Sequence, residues 1–299
     1  MRVSYHPDYT VPLPEGHPFP MGKFAALHRI LLDEGLIRPE DVMLPQEAAW
    51  ADLRLVHTEE YLTQLAQGTL TRQAERKLGV PWSLTMLRRS RLAAQGTINA
   101  ARAALEDGIA ANLAGGTHHA FPDHGEGYCV LNDVAIAIRA LRRDGLIRRA
   151  LIIDLDVHQG NGTAAIFGGD DTAYTFSMHG ERNYPWRKPP SDCDVGLPDG
   201  TGDDLYVETL SRHLPMIFDA ARPDLVFYLA GVDPVIGDRF GRLALTREGA
   251  RQRDNATLRA IAARGAPVVL TLSGGYARTP ELTADLHAIV HREAQGIMM

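Results

Sequence analysis

Residues 151–162 read LIIDLDVHQGNG: three apolar residues of strand character, then Asp154, Asp156 and His158 at alternate positions. Successive residues of an extended strand face opposite sides, so this alternation would put both carboxylates and the imidazole on one side. Two ionised carboxylates buried together repel, and each is costly to desolvate unless paired or bound to a metal. A divalent cation resolves that conflict. Asp156 and His158 can ligate it from one segment, and Asp233, in FYLAGVDPV, can complete the set from another. Three protein ligands with a position left for water is the pattern of a catalytic zinc site, although the same donors also suit iron(II). A lone Asp-x-Asp-x-His more often serves capping and hydrogen bonding; matching residues elsewhere in the chain reverse that balance.

His118 and His119 follow Gly115 and Gly116, glycines that let the backbone approach a ligand closely. An imidazole titrates near neutrality, so either could act as general base toward an attacking water. Tyr276, after Ser273-Gly274-Gly275, could donate a hydrogen bond to a developing oxyanion. Alone, the histidines read as surface loop residues and the tyrosine as a core residue. No G-x-S-x-G elbow, P-loop or C-x-x-C pair occurs, and the glycines at 274–275 form no dinucleotide fingerprint.

The elements that must carry these groups alternate in type. Strand-like runs cover 109–116, 150–157, 174–178, 224–232 and 267–275. Between them helices are expected over 84–107, 132–144, 203–221, where Pro215 should kink or split the helix, 246–264 and 280–295. This alternation predicts an α/β fold with a mostly parallel central sheet flanked by helices on both faces, as a single domain over 1–299. The Pro-rich first 80 residues are less regular, and 179–202 reads as a long loop whose Tyr184 and Trp186 suggest an ordered site wall. In open α/β sheets the site lies beyond the carboxyl ends of the strands. Four strand ends carry His118–His119, His158, Asp233 and Tyr276, which therefore should converge on one crevice.

Composition excludes other classes. The net charge of −6 argues against a nucleic-acid surface, and the basic clusters at 88–91 and 142–149 read as solvated helix faces. No run of 18 apolar residues offers a membrane span, and the N-terminus lacks the apolar core of a secretory signal. Two cysteines, Cys129 and Cys193, make no disulfide framework, so a soluble cytoplasmic protein is expected.

The segments GGTHHA, GYCVLND, DLDVHQGNG, LAGVDPVIGD and LSGGY, in this order and spread over nearly the whole chain, resemble the zinc-dependent histone deacetylase superfamily. The Q-G-N-G ending and the early HPFPMGKF resemble its class IV branch and short bacterial relatives. The resemblance implies the arginase/deacetylase-like fold, with Asp156, His158 and Asp233 as zinc ligands, His118 and His119 as the tandem histidines and Tyr276 as the carbonyl-polarising tyrosine. It implies a structural potassium site at Asp154, Ser177 and Met178, with backbone carbonyls of Asp156 and His158. Gly127 and Tyr128 fall where the family lines its acyl-lysine tunnel; Tyr184, Gly274 and Gly275 are expected to complete the substrate wall. By the same resemblance His119 is the base, oriented by Asn161 where the larger classes have an Asp, while His118 pairs with Asp154. A neutral amide supports an imidazolium less than a carboxylate does, so His119 should be less basic for it.

The implied substrates are acyl-lysine in proteins or peptides, with acetyl or longer fatty acyl groups, or alternatively acetylated polyamines and other small acylated amines. A binuclear manganese ureohydrolase would need extra bridging carboxylates, where this chain has Gln159, Gly160 and Asn161. A non-catalytic acyl-amine binding protein would require loss of a ligand, the histidines or the tyrosine, and all are present. Oligomeric state is left open by the sequence.

Overall fold

ALIID, LVFYL and VVLT are short continuous apolar runs, the signature of strands buried on both faces of a parallel sheet. In the computed structural model, which describes residues 1–297, they are β4 (Ala150–Asp154), β7 (Leu225–Leu229) and β8 (Val268–Thr271). With β1 (Arg2–Ser4), β2 (Val42–Met43), β3 (Ile109–Asn112), β5 (Ala173–Gly180) and β6 (Cys193–Leu197) they form an eight-stranded sheet of order β2-β1-β3-β8-β7-β4-β5-β6. All seven strand pairings are parallel. All five residues of β7 are fully buried, so both sheet faces are covered.

Parallel strands require crossovers, and helices supply them. α5 (Leu84–Asp107) precedes β3, α6 (Asp133–Arg143) joins β3 to β4 and α7 (Asn161–Phe167) joins β4 to β5. α8 (Asp203–Ala221) leads into β7, α9 (Arg247–Ala263) joins β7 to β8, and α10 (Pro280–Ile297) closes the described chain. α5 packs with α6, while α8, α9, α10 and α1 (Lys23–Asp33) pack in succession. Among the described residues no helix is long and apolar enough to cross a membrane.

Four sequence expectations need correction. The first 80 residues are not irregular: they hold β1, β2, α1 and the short helices α2 (Trp50–Leu53), α3 (Glu59–Gln67) and α4 (Arg72–Leu78). Apart from α1, which is as long as α6, each is too short to establish a period of its own, and side-chain caps from Thr58 and Thr71 start the last two. Pro215 does not split α8, because it lies on the exposed face, where water can satisfy the carbonyl it frees. The long loop 179–202 is interrupted by the edge strand β6, whose alternating exposure was masked by Pro- and Asp-rich flanks. Finally, the strands carrying the chemistry stop early, at Asn112, Asp154, Leu229 and Thr271, so Asp156 and His158 stand in a turn rather than on one face of a strand.

Candidate active site

β3, β8, β7 and β4 are consecutive in the sheet, so the loops leaving their carboxyl ends are neighbours. Beyond Asp154 the carboxylates take over the role of strand partners. Asp154 Oδ1 accepts from Asp156 N–H (3.1 Å), Asp156 Oδ1 from His158 N–H (2.9 Å) and Asp233 Oδ1 from Val157 N–H (2.9 Å). This lacing brings side-chain donor atoms of Asp156, His158 and Asp233 within 4.8 Å of one another. His158 Nδ1 lies 2.9 Å from Asp156 Oδ1 and 3.3 Å from Asp233 Oδ2.

The cluster has the chemistry of a cation site. Asp156 Oδ2 is engaged by the Ser273 hydroxyl (2.8 Å) and Gly274 N–H (2.6 Å), whereas Asp233 Oδ2 is buried without a hydrogen-bond partner. A Cβ at Gly274 would collide with both carboxylates, so only glycine leaves them room. Burial, and then the Asp156 charge beside it, lifts the Asp233 pKa to about 7. Burial also opposes ionisation of Asp156, but His118 and His158 hold it well below the usual carboxylate range. Two buried carboxylates in conflict, one oxygen orphaned and an imidazole nitrogen facing both, fit a divalent ion such as zinc or iron(II).

The tandem histidines differ sharply. His118 Nδ1 donates to Asp154 Oδ2 at 2.6 Å. Burial disfavours its charge, yet Asp154 and then Asp156 outweigh burial and raise its pKa to about 9. His119 Nδ1 donates to Asn161 Oδ1 at 2.6 Å. Burial, then the neighbouring His118 and His158, hold its pKa well below the ordinary value. The first ring thus favours its cation and the second its neutral form, with centroids 4.1 Å apart. Tyr276 is placed by its backbone N–H, which donates to Asp238 Oδ2 (2.6 Å). Its phenol stays protonated, because burial and then Asp156 and Asp233 push its pKa well above the ordinary value.

His119, His158 and Tyr276 line the floor of a cleft of about 420 Å³. Gly127, Tyr128, Tyr184 and Phe240 wall it, and Arg76, Lys77, Arg182, Trp186 and Arg242 ring its mouth. A Cβ at Gly127 would strike the His119 ring, so the wall passes close to that imidazole only because this position is glycine.

The histone deacetylase domain family matches residues 17–292. An uncharacterized protein of Picosynechococcus sp. is 50% identical over 99% of this chain and 98% of its own. Histone deacetylase 2 of Arabidopsis thaliana is 31% identical over 94% of this chain and 75% of its own. The crystal structure of an HDAC homolog from Aquifex aeolicus superposes with a TM-score of 0.82 at 25% identity, covering 99% of this chain and 84% of that one. The chain belongs to the histone deacetylase family. It is a hydrolase of that family with its arginase/deacetylase-like α/β fold.

Within this histone deacetylase-family site the structure brings most of the sequence-derived residues together; Gly275 stands apart, and the residues expected at a potassium site adjoin one another on β4 and β5. Gly274 gives its N–H to Asp156 and lines a small inner cavity shared with His119, His158 and Tyr276, whereas Gly275 packs against Val232 and His287 and lines neither that cavity nor the outer cleft. Gly274 makes room and supplies a donor for the carboxylates. Asp154 and Ser177 are register partners across β4 and β5, with Met178 next in β5. Both carboxylate oxygens of Asp154 are engaged by His118 and Asp156, and Ser177 Oγ pairs with His179 Nδ1 at 2.9 Å. Sequence reasoning missed Phe19 and Phe240, whose rings lie 6.0 and 4.9 Å from Tyr276, and the buried Glu126. Phe19 lay inside HPFPMGKF, a segment that carried the family resemblance without an assigned role.

Proposed function

We propose that this chain is a metal-dependent amidohydrolase that removes acyl groups from the ε-amine of acyl-lysine in proteins or peptides. The observation that carries this reading is the convergence of an Asp156–His158–Asp233 donor set, a neutral His119 and the protonated Tyr276 at the floor of one aromatic-walled cleft. Asp156, His158 and Asp233 would hold zinc or iron(II), which when bound polarises an amide carbonyl and lowers the pKa of water. His119, protonated at Nδ1 and free at Nε2, takes the proton of the attacking water. Tyr276 O–H donates to the carbonyl oxygen as charge develops on it. His118, held cationic by Asp154, supplies a fixed positive field, and His119 returns its proton to the departing amine nitrogen.

Tyr128 and Phe240 suit an aliphatic lysine stem. The mouth favours a peptide over a polyamine: no carboxylate is among the cleft-lining residues, and although Lys77, Arg182 and Arg242 are paired with Glu126, Glu181 and Asp199, Arg76 has no carboxylate partner among the described residues. A polycation would meet like charge there, whereas an acyl-lysine flanked by Asp or Glu would be attracted. The Q-G-N-G ending with Asn161 supports a class IV assignment, and the Asp154–Ser177 pairing beside Met178 supports a structural potassium ion. In this reading the chain is one catalytic domain over 1–299, cytoplasmic in keeping with its two free cysteines, with no nucleic-acid or membrane partner.

A panel of lysine peptides with acyl chains of increasing length, with acidic or neutral flanks, alongside acetylated spermidine, tests the assignment. Acidic-flanked acyl-lysine is expected to exceed the polyamine in kcat/KM by about tenfold or more. A polyamine preference would overturn it.

A further inference from the structure

His119 is useful as a base only if its proton sits on Nδ1, leaving the Nε2 lone pair for water. Its Nδ1 partner is an amide, and an amide is ambivalent: Asn161 offers an accepting oxygen on one side and a donating NH2 on the other. Flipped by half a turn, Asn161 would donate to Nδ1 and drive the proton to Nε2. Something else must decide which way the amide points.

Glu126 is placed to decide. Its side chain is buried, 4% exposed, behind Asn161. Glu126 Oε1 accepts from Asn161 Nδ2 at 2.5 Å and from the Tyr184 hydroxyl at 2.5 Å. Glu126 Oε2 is paired with Lys77 Nζ at 2.7 Å and lies 3.3 Å from His124 Nε2. An ionised carboxylate can only accept, so the Asn161 NH2 must face it and the Asn161 oxygen must face His119. Tyr184, tied to the same oxygen, lays its ring edge-on to His119 at 5.1 Å between centroids. The carboxylate therefore holds both the amide behind the base and the wall beside it.

We propose that Glu126 is the positioning residue that fixes the Asn161 amide and, through it, the Nδ1–H tautomer of His119. A chain Lys77–Glu126–Asn161–His119 thus does with a carboxylate one residue removed what an Asp in direct contact with the imidazole would do alone. This rests on the reading of His119 as base, but the tautomer itself can be observed without turnover.

Glu126→Met keeps side-chain length and removes every acceptor, freeing the amide to flip. With Asn161→Asp added, both oxygens at position 161 accept, no orientation needs fixing, and the released Tyr184 hydroxyl can donate to the new carboxylate. Glu126→Met is expected to lower kcat about tenfold or more with little change in KM, and the double variant to recover to within about threefold of the parent. Independently, 15N NMR of histidine-labelled protein, with the His119 signals assigned by their loss in His119→Asn, should show the proton on Nδ1 in the parent. In Glu126→Met it should move wholly or partly to Nε2, and in the double variant return. Thermal melts of each variant identify any that fail to fold. An Nδ1–H tautomer unchanged by Glu126→Met, or a kcat loss that Asn161→Asp does not repair, would overturn the proposal. Should the parent turn over no acyl-amine at all, the base assignment fails while the tautomer shift still judges Glu126.

Discussion

At the residue scale the site separates jobs among groups that look alike in sequence. Two adjacent histidines end with opposite character because one faces the Asp154 carboxylate and the other the Asn161 amide. Tyr276 keeps its proton because burial, and then two nearby carboxylates, disfavour its phenolate. Tyr276→Phe should therefore lower kcat by about 100- to 1000-fold while KM changes only a few-fold, as measured on an acyl-lysine peptide. Gly274→Ala should push a Cβ into both carboxylates and lower bound metal well below one equivalent per chain, read by elemental analysis, with the circular dichroism spectrum retained. These residues were legible because each lies in a strand-end motif, Asp156 and His158 sharing one. Glu126 was not: GEG has no period and no known spacing to His119, and its meaning appears only when residue 126 lies against Asn161 and Tyr184.

At the element scale, β3, β8, β7 and β4 had to be neighbours for the site to exist, and they are. Long apolar runs made these strands readable, whereas their ends were not, because Asp and Gly turns continue the apolar alternation past the last ladder bond. The N-terminal elements other than α1 were hidden by brevity, and β6 by its position as an edge. One loop contact carries a measurable consequence. His57 Nδ1–H donates to the Phe121 carbonyl (3.0 Å) and Nε2 accepts from Asn132 N–H (3.0 Å), joining the segment after α2 to the start of α6. Burial lowers its pKa to about 4, so the folded chain holds it neutral. A depressed pKa means that this stabilisation is complete above the unfolded value near 6.5 and is lost as pH falls toward 4. The loss is on the order of 3 kcal/mol across that window. Thermal melts should drop between pH 6.5 and 4, and His57→Asn should flatten that drop; equal slopes would contradict the neutral assignment.

At the scale of the whole molecule, an acidic chain of net charge −6 carries basic residues around its cleft mouth, of which Arg76 has no carboxylate partner among the described residues. Such a local field steers ligands of opposite sign and is screened by salt. Raising ionic strength should lower kcat/KM for acidic-flanked peptides and raise it for acetylated spermidine, seen in initial rates across a salt series. Net charge does not show this placement: Arg76, Lys77, Arg182 and Arg242 come together because of which loops meet, and all but Arg76 stand beside a carboxylate. The most direct test of the central claim follows an acyl-lysine peptide by mass spectrometry with protein stripped of metal and then reloaded with one equivalent of zinc or iron(II). The reloaded chain should release the free-lysine peptide, the stripped chain should not, and reloaded Tyr276→Phe should be nearly silent. Equal turnover by stripped and reloaded protein, or none from any metal-loaded form, would contradict a metal-dependent lysine deacylase.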